Sequence, residues 1–239
     1  MSERKVPLVT VKRLALYLTH LGMLVDAGVE RISSEELANE IGVSASLVRR
    51  DLGHFGKFGI SRSGYDVSIL FHRLRGILGV DTETPVVIIG AGHIGQALAH
   101  SRNLGERGFS IRGLFDVDTR LIGKTVDGIQ VRAMSELGNI VEAEGVSIGV
   151  IAVPASAGQR VADRLVAVGI EAIWNFAPLR LVAPEHIIVE NVHLAAGLLS
   201  LTYRLRERHG VFLRFNVKAP ELPDVSASST GQEEPSSQA

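Results

Sequence analysis

The chain has 239 residues, 46% of them hydrophobic and 21% charged, with 25 Lys/Arg against 26 Asp/Glu. That is the composition of one or two globular domains with sizeable cores, not of a low-complexity or highly charged chain. Cysteine is absent, which excludes disulfides, thiolate chemistry and Cys-ligated metal centres.

Residues 10–27 read as a helix, because Leu14, Leu18, Leu21 and Val25 recur at three- and four-residue spacing. Gly28 stops it. Ser33 with Glu36 forms a capping box for a two-turn helix whose inner face is Leu37, Ala38 and Ile41. After a short turn at Gly42 and Val43, Ser44 caps a third helix, from Ala45 to about Phe55. Helix, glycine turn, helix is the helix-turn-helix arrangement. The third helix carries Ser44, Ser46, Arg49 and Arg50 outward, with Lys57 following it, while Leu47, Val48 and Leu52 face inward. Arginine can fork onto guanine or phosphate, so these residues are DNA-contact candidates. On pattern alone they are equally a solvated face, with Asp51 merely balancing the arginines. Residues 1–80 hold 11 Lys/Arg against 8 Asp/Glu, and residues 81–239 hold 14 against 18, so the first segment is mildly basic. Gly56, Gly59 and Gly64 with Phe55, Phe58 and Tyr65 suggest a wing. A helix from Val67 to Leu78 follows, then a linker over 79–84.

Val86 to Ile89 is a strand of four β-branched residues, expected to be buried on both faces. It runs into Gly-x-Gly-x-x-Gly at Gly90, Gly92 and Gly95, which opens a helix. The chemistry explains the glycines: a tight turn, backbone approach to a pyrophosphate, and close helix packing, with the helix N-terminus aimed at the phosphates. Ala91, His93 and Ile94 lie within the same loop. A second strand, Ser110 to Phe115, ends at Asp116, whose carboxylate suits ribose hydroxyls and favours NAD(H) over NADP(H). Strands and helices then alternate, as in a doubly wound α/β fold with a parallel sheet. The strands are 129–131, 148–153, 171–174 and 187–190; the helices cover 135–144 and 157–168. Val153, Pro154, Asn175 and Phe176 fall at carboxyl ends of strands and are further cofactor-contact candidates. A last helix, Leu194 to about Arg208, ends in Arg204, Arg206 and Arg208. Residues 219–239 are rich in Pro, Ser, Glu and Gln and are expected to be disordered.

The eight histidines have no metal-ligand spacing and no Ser/His/Asp set can be assigned, so neither a metal nor a catalytic residue is expected. No apolar run reads as long enough to span a bilayer, and Met1 to Lys5 lacks the core of a signal peptide, so the expected location is cytoplasmic.

Taken together, several stretches resemble one family, the Rex redox-sensing transcriptional repressors of bacteria. They are Val6-Pro7, Arg13-Leu14, Tyr17-Leu18, Ser33 to Ala38, Val48 to Leu52, Phe55 to Gly59 and Gly64-Tyr65. In the second half they are Gly90 to Gly95, Phe115 to Asp118, Val153-Pro154, Asn175 to Pro178 and Glu190 to Val192. The resemblance covers about residues 5–208. It implies a winged-helix domain (1–80), a Rossmann domain (85–190) and a C-terminal dimerisation helix (191–210) exchanged between the subunits of a homodimer. It implies a non-enzymatic repressor on palindromic operators, released by NADH and opposed by NAD⁺. Four places depart from the family pattern. Ser101 stands where a Tyr is frequent, His193 where an Asp is frequent, and Leu194 where an aromatic can follow. Ile60-Ser61-Arg62-Ser63 replaces a wing with Arg-Gly, and Arg62 is a candidate for the same DNA contact. Two other readings remain open: a DNA-binding regulator that senses another nucleotide or pH, and an NAD-dependent dehydrogenase.

Overall fold

The computed structural model describes residues 6–60 and 64–209, in two compact units that meet in sequence at His193 and Leu194. Arg62 and the tail over 219–239 therefore lie outside the described residues. The first unit begins with helix α1 (Leu8–Asp26) and strand β1 (Arg31–Ile32). Next come α2 (Ser34–Ile41) and α3 (Ala45–Gly53). Strands β2 (Gly59–Ile60) and β3 (Gly64–Asp66) precede α4 (Val67–Ile77). The expected capping box is present: Ser33 accepts from the Glu36 N–H, and Glu36 from the Ser33 N–H. Gly42 ends α2 in the left-handed region at φ 72°, which lets the chain reverse into α3. The three strands pair antiparallel in the order β1-β3-β2, a small wing behind the helices. Leu14, Leu18, Leu21, Leu37, Val48, Leu52, Leu70 and Leu74 form the core.

Contrary to the expectation that no apolar run is long enough to span a bilayer, α1 is long and apolar enough to do so by length and composition, with a mean hydropathy of 1.4. Here its apolar side is a core face, since Leu14, Tyr17, Leu18 and Leu21 are buried against α2, α3 and α4.

Asp51 does not balance the neighbouring arginines. It is 1% exposed and points from α3 into α1. Arg13 donates to both its oxygens, Nε to Oδ2 at 2.6 Å and Nη2 to Oδ1 at 2.7 Å. Tyr17 donates to Oδ2 at 2.9 Å and Thr10 to Oδ1 at 3.2 Å. Burial pushes the Asp51 carboxyl up, but the hydrogen bonds from Arg13 and Tyr17 outweigh it and hold the group below its ordinary value. Burial first, then the bond to Asp51, pushes the Tyr17 phenol well up.

The second sheet runs β10-β9-β8-β4-β5-β7-β6 and is parallel except for β6. Its central strand β4 (Thr84–Ile89) leads through α5 (His93–Ala99) and α6 (Arg102–Glu106) to β5 (Phe109–Asp116). Strands β6 (Thr125–Val126) and β7 (Ile129–Ala133) make an edge hairpin, and α7 (Leu137–Ala143) follows. The chain then crosses back through β8 (Ile148–Ile151), α8 (Ala155–Ala167), β9 (Ala172–Asn175) and β10 (Ile188–Asn191). The order reverses between β4 and β8, which creates the crevice expected of a doubly wound sheet. As expected, β4 is buried on both faces from Val86 to Ile89.

Some details differ from the sequence reading. Strand β8 stops at Ile151 rather than residue 153, because its partners Ile89 and Asn175 are the last residues of their own strands. The helix after the glycine loop breaks at Ser101, which adopts an extended conformation. Residues 134–136 form a 3₁₀ turn before α7, closed by a bond from the Ala133 N–H to Glu136. The pair β6 was not foreseen, since two residues are too short for a periodic signal.

In the second unit, α9 spans Leu194–Arg208, as the sequence indicates, and Leu194, Leu198, Leu199, Leu201, Tyr203 and Leu205 are all exposed.

Asp51→Asn is expected to cost about 3 kcal/mol in urea denaturation, because a partly buried guanidinium loses its counter-charge. The wild-type margin is present above the ordinary carboxylate value and is lost as pH falls through the lowered Asp51 value. A flat stability profile through that range would contradict this assignment.

Candidate nucleotide and nucleic-acid sites

The three glycines of the β4–α5 loop are required for different reasons. Gly90 has φ 105°, and a Cβ there would lie 2.5 Å from the Ala152 carbonyl oxygen. A Cβ on Gly95 would lie 1.8 Å from the Gly90 oxygen, so α5 can approach β4 only at a glycine. Gly92 is unlike both: its φ is −75°, which any residue adopts, and a Cβ there meets no atom within 4 Å. The fold does not demand this glycine, whereas a ligand lying on the loop backbone would. The first N–H groups of α5 have no intrahelical partner, as at any helix start. Gln96 steadies the loop by donating to the Ala91 oxygen at 2.7 Å.

Asp116 closes the loop from the neighbouring strand. Its Oδ2 accepts the Ala91 N–H at 2.7 Å, and its Oδ1 accepts the N–H groups of Val117 at 2.7 Å and Asp118 at 2.9 Å. Three acceptor positions are thus spent on the protein, and Oδ2 keeps capacity for one more donor such as a ribose hydroxyl. Beside it Arg120 clamps Asp118 and holds its carboxyl down at about 2. A cleft of about 370 Å³ adjoins this loop, lined by Gly90, Asp116, Val117, Met134, Val153 and Arg160. Its apolar walls and polar rim suit a planar base. Met134 and Arg160 carry no motif, and only the fold brings them beside Asp116.

The remaining candidates fare differently. Ala91 is buried, whereas His93 and Pro154 are exposed and Ile94 is at the surface. Asn175 is 1% exposed and both its amide N–H groups are used: it donates to the Leu179 oxygen and to Asn191 Oδ1, and it accepts from the Ala177 N–H. It clamps β9 to β10 at the crevice edge. Phe176 is half-buried and packs edge-on against Trp174 at 4.5 Å. His193, beyond β10, is exposed.

Among the N-terminal helices, Ser46, Arg49 and Arg50 lie on the exposed side of α3, opposite Val48, Asp51 and Leu52. Ser44 is spent as the cap, accepting the Leu47 N–H, and its hydroxyl also lies 3.0 Å from that of Ser46. Arg49 donates from Nη1 to Ser34 Oγ at 2.7 Å, which ties the start of α2 to the middle of α3. Arg50 and Lys57 are exposed and have no ion pair among the described residues.

Residues 5–53 match a family model described as "Putative DNA-binding protein N-terminus", and residues 81–179 match one described as a CoA binding domain. The redox-sensing transcriptional repressor Rex of Clostridium novyi (strain NT) is 41% identical over 204 residues, 85% of this chain and 97% of the relative. The crystal structure of RSP in complex with beta-NAD⁺ and operator DNA is 39% identical, with a TM-score of 0.79, covering 87% of this chain and 95% of that one. RSP in complex with beta-NADH gives a TM-score of 0.78 at 38% identity, covering 86% and 97%. With more than nine-tenths of these relatives spanned at about two-fifths identity, the chain belongs to the Rex family of redox-sensing transcriptional repressors.

Proposed function

We propose that this protein binds operator DNA through the winged-helix domain (1–80) and NAD(H) through the Rossmann domain (85–190), and that NADH releases it from DNA. The observation that carries this reading is Gly92, a glycine the fold does not need, in a chain whose α3 presents Arg49 and Arg50 on its exposed side. The loop from Gly90 through Ala91, Gly92, His93, Ile94 and Gly95 holds the pyrophosphate, and Asp116 one ribose. Val153 and Pro154 border the adenosine, while Phe176 lies on the nicotinamide side and Asn175 positions that edge. When bound, the dinucleotide supplies the redox difference, a hydride and one positive charge on the ring. The DNA contacts are Ser44, Ser46, Arg49, Arg50, Lys57 and Arg62. A relative whose structure has been solved with NAD⁺ and operator DNA, and also with NADH, supports this division.

The protein works as a homodimer in the cytoplasm, on a palindromic operator whose half-sites lie one DNA turn apart. An apolar cleft of about 310 Å³ over Val86, Ile88, Ile148, Val150, Trp174 and Ile188 leaves one sheet face open. The apolar residues of α9 (191–210 with its flanks) in a second copy are its occupant. A second reading, in which coenzyme A or another adenosine nucleotide is the ligand, draws on the matched family model. Both ligands share an adenosine diphosphate, so competition against NADH separates them.

In fluorescence anisotropy with a palindromic operator, NADH releases the protein and NAD⁺ does not; tight binding indifferent to both would overturn the reading. Gly92→Ala loses about tenfold or more in NADH affinity, as expected when contacts to charged groups are lost, while its melting temperature stays close to that of wild type. Gly95→Ala loses both. Arg50→Ala weakens operator binding by about 1–3 kcal/mol, and Lys57→Ala reduces the slope of log K against log salt by about 1.

A further inference from the structure

Helix α1 is bonded on two different sides. On one, Lys12 Nζ donates to Glu190 Oε1 of β10 at 2.6 Å. Two turns further on, Thr19 Oγ1 accepts from Arg107 Nη1 at 2.7 Å, just beyond α6. Residues seven apart share a helix face. On the other side, Thr10, Arg13 and Tyr17 hold Asp51 of α3. At about 100° per residue the two sets lie roughly 140° apart around the helix axis. One rigid helix thus joins the nucleotide-binding sheet to the helix that carries Arg49 and Arg50.

The two attachments differ in strength. The Asp51 cluster is buried, charged and bidentate, so α3 must move with α1. The Lys12–Glu190 pair is half-exposed, 55% and 48%, so it can be remade at small cost. Its carboxylate is also well placed to report on the crevice. Glu190 precedes Asn191, whose side chain accepts from Asn175, and Asn175 pairs in register with Ile151 of β8 at the crevice edge.

We infer that α1 is the connecting rod of the switch: displacement of β9 and β10 at the nucleotide crevice passes through Glu190 to Lys12, and through Asp51 to the DNA-binding face of α3. Thr19–Arg107 is the second point of attachment, which converts a push on β10 into rotation of α1. This inference rests on the proposed release of DNA by NADH.

The test is the coupling ratio, the operator Kd with saturating NADH divided by that without nucleotide, measured on the full-length protein. Wild type must show a ratio well above one; if it does not, the functional reading falls and the rod with it. With release present in wild type, Lys12→Met and Glu190→Gln each reduce the ratio by about two- to fivefold, the range of an exposed ion pair. Lys12→Met/Thr19→Val brings it close to one. The charge swap Lys12→Glu/Glu190→Lys restores it. A merely structural role would change operator affinity equally with and without NADH. Ratios unchanged in these variants, or a swap that fails to recover, would overturn the rod while leaving the functional reading intact.

Discussion

A carboxylate with almost no exposed surface persists as an anion only if donors replace the water it has lost. Asp51 has four such bonds, from Thr10, Arg13 and Tyr17. Its position decides which side of α3 is inside. With Asp51 turned into α1, Arg49 and Arg50 must face outward, and Val48 and Leu52 must join the core. The exposed face of α3, which carries the proposed DNA contacts, is therefore set by a polar interaction as well as by an apolar stripe. A purely hydrophobic contact would tolerate rolling of the helix by a few degrees; a bidentate guanidinium–carboxylate pair tolerates much less.

The nucleotide site rests on a different constraint, the closeness of two backbones. The Gly95 position is filled by the Gly90 carbonyl oxygen, and the Gly90 position by that of Ala152. These contacts draw the start of α5 to the switch point of the sheet, where its free N–H groups can face a pyrophosphate. Asp116 then does double duty. It secures the loop through the Ala91 N–H, and it keeps acceptor capacity for the ligand. A carboxylate at the end of β5 is thus part of the loop's own geometry before any nucleotide arrives.

Family membership also fits the departures. Ser101 has become the start of a separate short helix α6, and His193 is an exposed residue beyond β10. The glycine loop and α3 carry residues by which the chain resembles the family, whereas Ser101, His193 and Leu194 depart from its pattern. The contacts from Lys12 to Glu190 and from Arg107 to Thr19 physically connect the two halves of the chain.

Local signals were enough for most of the elements. The Ser33–Glu36 box, the Ser44 cap, the strand before Gly90 and the limits of α9 all depend on residues within a few positions of one another, so the sequence determines them directly. Family membership was equally legible, because it is carried by ordered motifs along the chain. Tertiary structure alone decided what each polar group is for. Asp51 read as a surface charge until α1 was seen to lie against it, and Asn175 read as a ligand contact although Leu179, Ala177 and Asn191 use its amide. Met134 and Arg160 reach the cleft beside Asp116 from distant parts of the chain. The reason is physical: a cap or a periodic stripe is satisfied by near neighbours, whereas a buried carboxylate or amide takes its partners from whichever segments the fold brings within hydrogen-bonding distance.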